Sequence, residues 1–585
     1  MQIHLDALRD IYIMTSQRRN VFAPIHTLPH EILLKIFDHA GGRLDSWILG
    51  NGTDSWIRHT ENAGWELPES HIAEIVKITH VCHFWRELAL DSPHLWTSLT
   101  PAEERSTRAF QQIVKRAKSA PLSLVFREDR KNPTGKNQRK LDLTHALQKW
   151  GCMVQVRHLD IALLSEAQDS VRRLFKTSMP LLEVLRLHAY QGLIQLPAED
   201  LDSFAPRLRR LSLSQCTIDL QTVAASVLSC LTHFCVAYIP SEWGNDDLFC
   251  VPSLTSEALS KTFTDMSNLE ELALSAPPFM YPRHHRPRTV WSSSVLLPPN
   301  LKHLTILGTD TYAIDAVNLA SRFLVPVHTH VDFDGHHLPL DSSLESLLEA
   351  LGGGPRAARV LQISTNDFQT HMTVTGWLEE DDVTRGAGPF APTTVPHSRF
   401  QLRGQRDRDY LVPLSNTFFT PGLVRLILKD GNIPKFRSGD IVSILEKARS
   451  TRVIEIGISA PSKNSRSLTT SHDLNAAPRR PKAAHAVLLL NLLTRSYESH
   501  PPETGVAPDH KMHFCPSLET LIVHFHGRKN CSPAYFEDVV LQLEQLLQVR
   551  IQSLCAIWSL RLPSVLEEYA EPLRPIVPDL EFFEC

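Results

Sequence analysis

The stretch best equipped for chemistry is "HTHVDFDGHH", residues 328 to 337. His328, His330, Asp332 and Asp334 alternate along it, so in a strand all four would share one face. His and Asp are ligand types of zinc and manganese hydrolases. Val327, Val331 and Phe333 fill the positions between. An ordinary strand, with these three turned inward and the polar residues toward solvent, explains every residue as well. "HFH" at 524–526 reads the same way. Other catalytic signals are missing. There is no GxSxG elbow, and "PTGKNQRK" lacks both the upstream glycine and the Ser/Thr after Lys of a phosphate loop. "GGGPR" at 352–356 suits a helix-ending turn. The basic run 131–140 has no interleaved aromatics, so it reads as a solvated loop. The expectation is a non-enzyme without metal or cofactor. A metal-dependent hydrolase at His328, His330 and Asp332 is the rival from another class.

Composition narrows the field. The chain has 585 residues, 42% hydrophobic and 21% charged, with a formal net charge of −4. That length holds several domains or an extended array. The charge leaves no basic field for nucleic acid or an anionic membrane. The longest apolar run, "AAHAVLLLNLLTRSY", is too short to span a bilayer. "MQIHLDALRD" lacks the order of a signal peptide. Ten cysteines without a CxxC pair read as reduced and buried, in a cytoplasmic or nuclear protein.

Two textures divide the chain. The first hundred residues are helical in pattern, with Leu28, Ile32, Leu33, Ile36 and Phe37 at helical spacing after Pro29. Ile78, Val81, Cys82, Trp85, Leu88 and Ala89 trace a second helical face, stopped by Pro93. Between them, 41–73 reads as an irregular insertion. From about residue 109 a unit of form apolar-x-x-apolar-x-apolar recurs. It appears as "VRHLDI", "LEVLRL", "LRRLSL", "LTHFCV", "LEELAL", "LKHLTI", "LVRLIL" and "LETLIV". This is the pattern of a leucine-rich repeat, one short strand plus a helical or irregular return. Over the first six the spacing is irregular, from 23 residues (Leu208 to Leu231) to 38 (Leu231 to Leu269). Stretches 277–299, 379–409 and 460–482 read as loops within it, and "PRRPK" in the last as a solvated basic run.

"LPHEILLKIF" followed by "VCHFWRELALDSPHLWTSL" resembles an F-box, in the F-box-like variant common in fungal proteins with irregular leucine-rich repeats. The matching positions are Leu28, Pro29, Glu31, Ile36 and Phe37, then Val81, Cys82, Trp85, Arg86, Leu88, Ala89, Pro93, Leu95, Trp96 and Leu99. The resemblance implies a non-catalytic adaptor. Its F-box docks the Skp-type adaptor of a cullin–RING ubiquitin ligase, and its repeats hold a protein substrate. Adaptor contacts carry over to Leu28, Pro29, Ile32, Ile36, Trp85, Leu95 and Trp96. Leu95 and Trp96, large and apolar beyond a helix end, are the expected hot spots. A scaffold whose helices merely cap the repeats is the other rival.

The expected fold is α/β. A helical lead-in (1–23) precedes F-box-like helices (24–99), and an irregular leucine-rich-repeat-like solenoid of short parallel strands with helices follows (100–585). In such an array the residues flanking the strand leucines face the concave side. That row is Arg186 and His188, Arg210 and Ser212, Glu271, His303 and Thr305, Arg425 and Lys429. Mostly basic, it would favour an acidic or phosphorylated segment.

Overall fold

The computed structural model describes residues 2–41, 71–99, 107–127, 151–163, 168–189, 194–237, 256–275, 294–308, 320–336, 360–365, 371–377, 398–403, 423–429, 448–459, 512–513, 515–526, 533–553 and 556–583, with a few single positions between. Most of the 41–73 insertion lies outside them, as do 460–482, most of 277–299 and 379–409, the run 131–140 and "GGGPR". The chain divides into two compact units, residues 1–301 and 302–585.

Among the described residues the first unit opens with four helices: α1 (Gln2–Val21), α2 (His30–Gly41), α3 (His71–Thr79) and α4 (His83–Leu90). Strands follow: β1 (Ser98–Leu99), β2 (Leu122–Arg127), β3 (Val156–Leu163), β4 (Val184–Ala189), β5 (Arg210–Ser214), β6 (His233–Ala237) and β7 (Glu271–Ser275). Each pairs in parallel with the next in chain order. Helices α5 (Thr107–Ala117), α6 (Gln168–Phe175), α7 (Ala225–Cys230) and α8 (Ser256–Asp265) lie in the connections.

One local device repeats. In five consecutive units the first leucine donates its amide to the carbonyl three residues earlier. The bonds are Leu182 to Met179, Leu208 to Ala205, Leu231 to Leu228, Leu269 to Met266 and Leu301 to Pro298, all 3.0–3.2 Å. The next residue donates to its counterpart one strand back, Glu183 to Arg157 and Arg209 to Glu183. The turn fixes the register, and period two then sends both later apolar residues to one face. In all eight units the three apolar positions are buried, from Val156 through Val523. Just before the leucine, Asn268 and Asn300 donate their side-chain amides to the carbonyls of Ser229 and Ser267, staples the apolar pattern does not reveal.

The second unit holds β8 (His303–Gly308), β9 (His330–His336), β10 (Val360–Thr365), β11 (His371–Trp377), β12 (Ser398–Arg403), β13 (Arg425–Lys429), β14 (Val453–Ser459), β15 (Thr520–His526), β16 (Ser559–Pro563) and β17 (Asp579–Phe583). From β13 to β17 the ladder is parallel and in chain order. Before it, the all-parallel expectation needs correction. β10, β11 and β12 form an antiparallel meander, with β12 returning to pair parallel with β9 and β10 pairing with β13. "HMTVTGW" and "SRFQLR" alternate apolar and polar, the pattern of antiparallel strands and not of the repeated unit.

Three further copies of the unit escaped the sequence search. Thr451, Ile454 and Ile456 are buried, and Thr451 makes the same leading turn onto Ala448. Ile557, Leu560 and Leu562 are buried in β16. Val577 leads Leu580 and Phe582 of β17. The chain is therefore mixed α/β, with helices first and parallel strands with helices after.

The described cysteines are free thiols. Cys152, Cys216, Cys235 and Cys515 are buried as expected; Cys82 is half-buried and Cys230 exposed. Burial pushes Cys152 up to about 11 and Cys515 to about 12, and raises Cys216 further. Thiolate is the reactive form. Of these six, Cys230 should therefore label first with maleimide at neutral pH, and Cys152, Cys216 and Cys515 only on unfolding. Peptide mapping of a labelling time course checks this.

Candidate functional site

The expected second helix is two. Cys82 is extended, with φ −158° and ψ 169°, and breaks the run between α3 and α4. Its sulfur takes the place of a capping oxygen, accepting from the Trp85 amide at 3.4 Å. His26 Nε2 lies 3.7 Å from the same sulfur, tying in the turn Pro24–Thr27. Arg86 Nε donates to the Thr79 carbonyl at 3.0 Å and holds α4 to the end of α3. α2 packs on both. Phe37 meets the Trp85 ring at 4.9 Å. Gly41 sits so close to His71 that a Cβ there would lie 2.8 Å from its ring, so α2 ends on a residue without a side chain.

This packing sorts α2 by face. Leu33 and Phe37, four apart, are buried. Ile32 and Ile36, also four apart, are 41% and 40% exposed. Pro29 is exposed, and Leu28 and Trp85 are half-buried. Val76 and Val81 add exposed apolar surface on α3 and just beyond it.

Leu95 and Trp96 go the other way, which corrects the expectation that they are surface hot spots. Both are fully buried. The turn Pro93–Trp96 folds back beneath α4, and Trp96 Nε1 donates to the Ala89 carbonyl at 2.8 Å. That carbonyl belongs to the last turn of α4 and also accepts from the Ser92 amide at 3.3 Å, so the indole adds a second donor at the helix end. Arg116 of α5 covers the indole face at 4.5 Å. The pair that looked displaced from its helix is the joint between the helices and the first strands.

Residues 25–101 match the F-box-like family model. No curated protein matches the chain. F-box-like domains are typical of non-catalytic adaptors and generally bind Skp-type adaptors in cullin ligases, so this one indicates a ubiquitin-ligase adaptor role in general terms. No helix among the described residues is long and apolar enough to cross a membrane.

The strand face opposite the leucines is less open than expected. Arg186, His188 and Thr305 are buried. Arg210, Ser212, Glu271 and Arg425 are half-buried, and His303 is exposed. The Lys429 side chain lies outside the described residues. Two ion pairs also involve the row that was read as basic. His233 Nε2 lies 3.1 Å from Glu271, and Arg425 is ion-paired with Glu455. Sequence reading missed Glu455 and His524, which occupy the intervening positions of the repeated unit. His524 was expected in solvent but is 2% exposed, its Nε2 3.0 Å from Glu455.

The metal cluster does not assemble. β9 begins at His330, leaving His328 exposed in the turn before it, and Val327 is exposed too. His330 Nε2 lies 3.4 Å from Asp332 and 5.6 Å ring to ring from His303. Among the described residues no group of three His, Cys, Asp or Glu could hold a metal ion.

Proposed function

We propose that the chain is the substrate-recognition subunit of a Skp–cullin–F-box type ubiquitin ligase. The observation that carries this is the outward stripe of Pro29, Ile32 and Ile36, with Leu28 and Trp85 at its margin, on an F-box-like domain whose own core is filled by Leu33, Phe37, Leu95 and Trp96. A helix that served only to cap the strands would have no use for two outward isoleucines one turn apart. The stripe docks the Skp-type adaptor, and through it the cullin–RING assembly. The strands of each unit act as an irregular leucine-rich-repeat-like array that holds a protein substrate. The accessible part of its row is Arg210, Ser212 and Glu271 in the first unit, and His303 in the second by itself. The chain does no bond chemistry. It raises the concentration of substrate lysines beside the ubiquitin thioester. Cytoplasm and nucleus both suit this role.

Co-purification with a Skp-type adaptor tests it. The intact chain should bind, and Ile32→Asp/Ile36→Asp should lose at least tenfold in affinity, since desolvated anchors of this kind are worth upward of about 1 kcal/mol each. The double variant should melt with the parent, because neither side chain is in the core. Failure of the folded parent to bind would hand the case to the capping scaffold.

A further inference from the structure

Among the described residues, none buries the helix that precedes the F-box-like domain. From His4 to Thr15 every residue of α1 is exposed. Leu5, Leu8 and Tyr12 are 55%, 63% and 74% exposed, and Ile11 beside them 56%. Positions 5, 8 and 12 are spaced three and four apart, the seam of a two-helix packing. A lone helix of this length is marginal in water, and α1 gains nothing from packing on its own unit. Something must cover the seam for the helix to persist.

We propose that α1 pairs antiparallel with α1 of a second copy of this chain. Charge placement favours that occupant and that direction. The N-terminal half carries Asp6 and Asp10 with Arg9 between them, a net charge of one negative, and the last turn carries Arg18 and Arg19. Antiparallel pairing sets the acidic half of each helix against the basic turn of the other, and opposes the two helix dipoles. Parallel pairing would set like against like. The area suffices. Leu5, Leu8, Ile11 and Tyr12 of two copies, four of the six exposed apolar side chains of α1, amount to roughly 1,000 Å², the threshold of a specific interface, before the flanking residues are counted. A bilayer surface fits worse. Interfacial helices carry a strongly basic polar face, whereas α1 sets three arginines against two aspartates. The Thr15 hydroxyl, next along the seam, donates to the Ile11 carbonyl at 2.8 Å and brings no unpaired group into the contact. The pairing is independent of adaptor docking, since α1 ends at Val21, before the stripe that begins at Pro29. Its consequence would be a receptor presented two at a time.

Sedimentation of the full-length chain over a micromolar range tests this. The parent should move from one-copy to two-copy mass as concentration rises. Leu8→Glu/Tyr12→Glu should stay at one-copy mass with an unchanged melting curve. Arg18→Glu/Arg19→Glu should weaken the dimer at least tenfold, and adding Asp6→Lys/Asp10→Lys to the same chain should restore it. A parent that stays at one-copy mass, or a dimer indifferent to the seam variant, would overturn the proposal. Indifference to the charge reversal would overturn the antiparallel direction. Flotation of the parent with anionic phospholipid vesicles, abolished by the seam variant, would assign the helix to a membrane surface instead.

Discussion

Trp96→Ala should destabilise the first unit by about 3–5 kcal/mol, the range for removing a fully buried indole. The side chain has no solvent exposure, and three elements meet on it: the end of α4 through the Ala89 carbonyl, the Pro93–Trp96 turn, and α5 through Arg116. Removing it opens a cavity at that joint and takes from the Ala89 carbonyl the stronger of its donors, leaving the Ser92 amide at 3.3 Å. Trp96→Phe should cost less, about 1–2 kcal/mol, because it keeps most of the packing and loses the hydrogen bond. Ile32→Ala, on the outer face of α2, should fall within about 0.5 kcal/mol of the parent. Urea titrations of the three variants followed by circular dichroism make the comparison. If Trp96→Ala unfolded at the parent midpoint yet failed to bind the adaptor, the indole would be a docking residue after all. The expected pattern is the reverse, with binding and folding lost together in Trp96→Ala and binding alone lost in the isoleucine variant.

Which parts of this were legible in the sequence follows from how local each cause is. The repeated unit was visible because its three apolar positions are fixed by one turn and one strand. Two of the missed copies, opening on Ile557 and Val577, fit the apolar pattern and differ from seven of the eight found only in lacking a leading leucine. Thr451 makes the same turn in a fully buried position, and a pattern search for apolar residues passes over it. The break at Cys82 was hidden because apolar spacing runs straight through it. Only the backbone shows that Cys82 caps one helix where a single helix was expected. Long-range outcomes were illegible. Nothing near Leu95-Trp96 says that α5, some twenty residues on, supplies an arginine to cover the ring. Nor does the row flanking the strand leucines say which of its basic residues meet a carboxylate. Glu455 lies thirty residues from Arg425 and sixty-nine from His524 in sequence, and only the parallel register brings the three together.

That buried trio sets the second large effect. Glu455→Gln should cost about 3–5 kcal/mol at neutral pH, the usual result of removing one member of a buried ionic group. Glu455 is 1% exposed, its carboxylate shared between Arg425 and His524. Without it the Arg425 guanidinium stays desolvated and uncompensated. Replacing all three together, Arg425→Met with Glu455→Leu and His524→Leu, should cost far less than the single change, because no charge is then left behind. The pH dependence has a definite sign. Burial raises the Glu455 carboxyl, but the hydrogen bond to His524 and the charge of Arg425 outweigh it and hold the group below the ordinary carboxylate value. A carboxyl depressed in the folded state contributes fully above its unfolded pKa, about 4.3, and loses that contribution as pH falls through the folded value. The parent should therefore show an acid-side loss of stability that Glu455→Gln lacks, so the gap between them narrows below about pH 4. Urea midpoints at pH 7 and in mild acid read out both claims. A gap that does not change with pH, or a triple variant as unstable as the sum of its parts, would mean that the three side chains are neighbours in the fold without acting as one ionic unit.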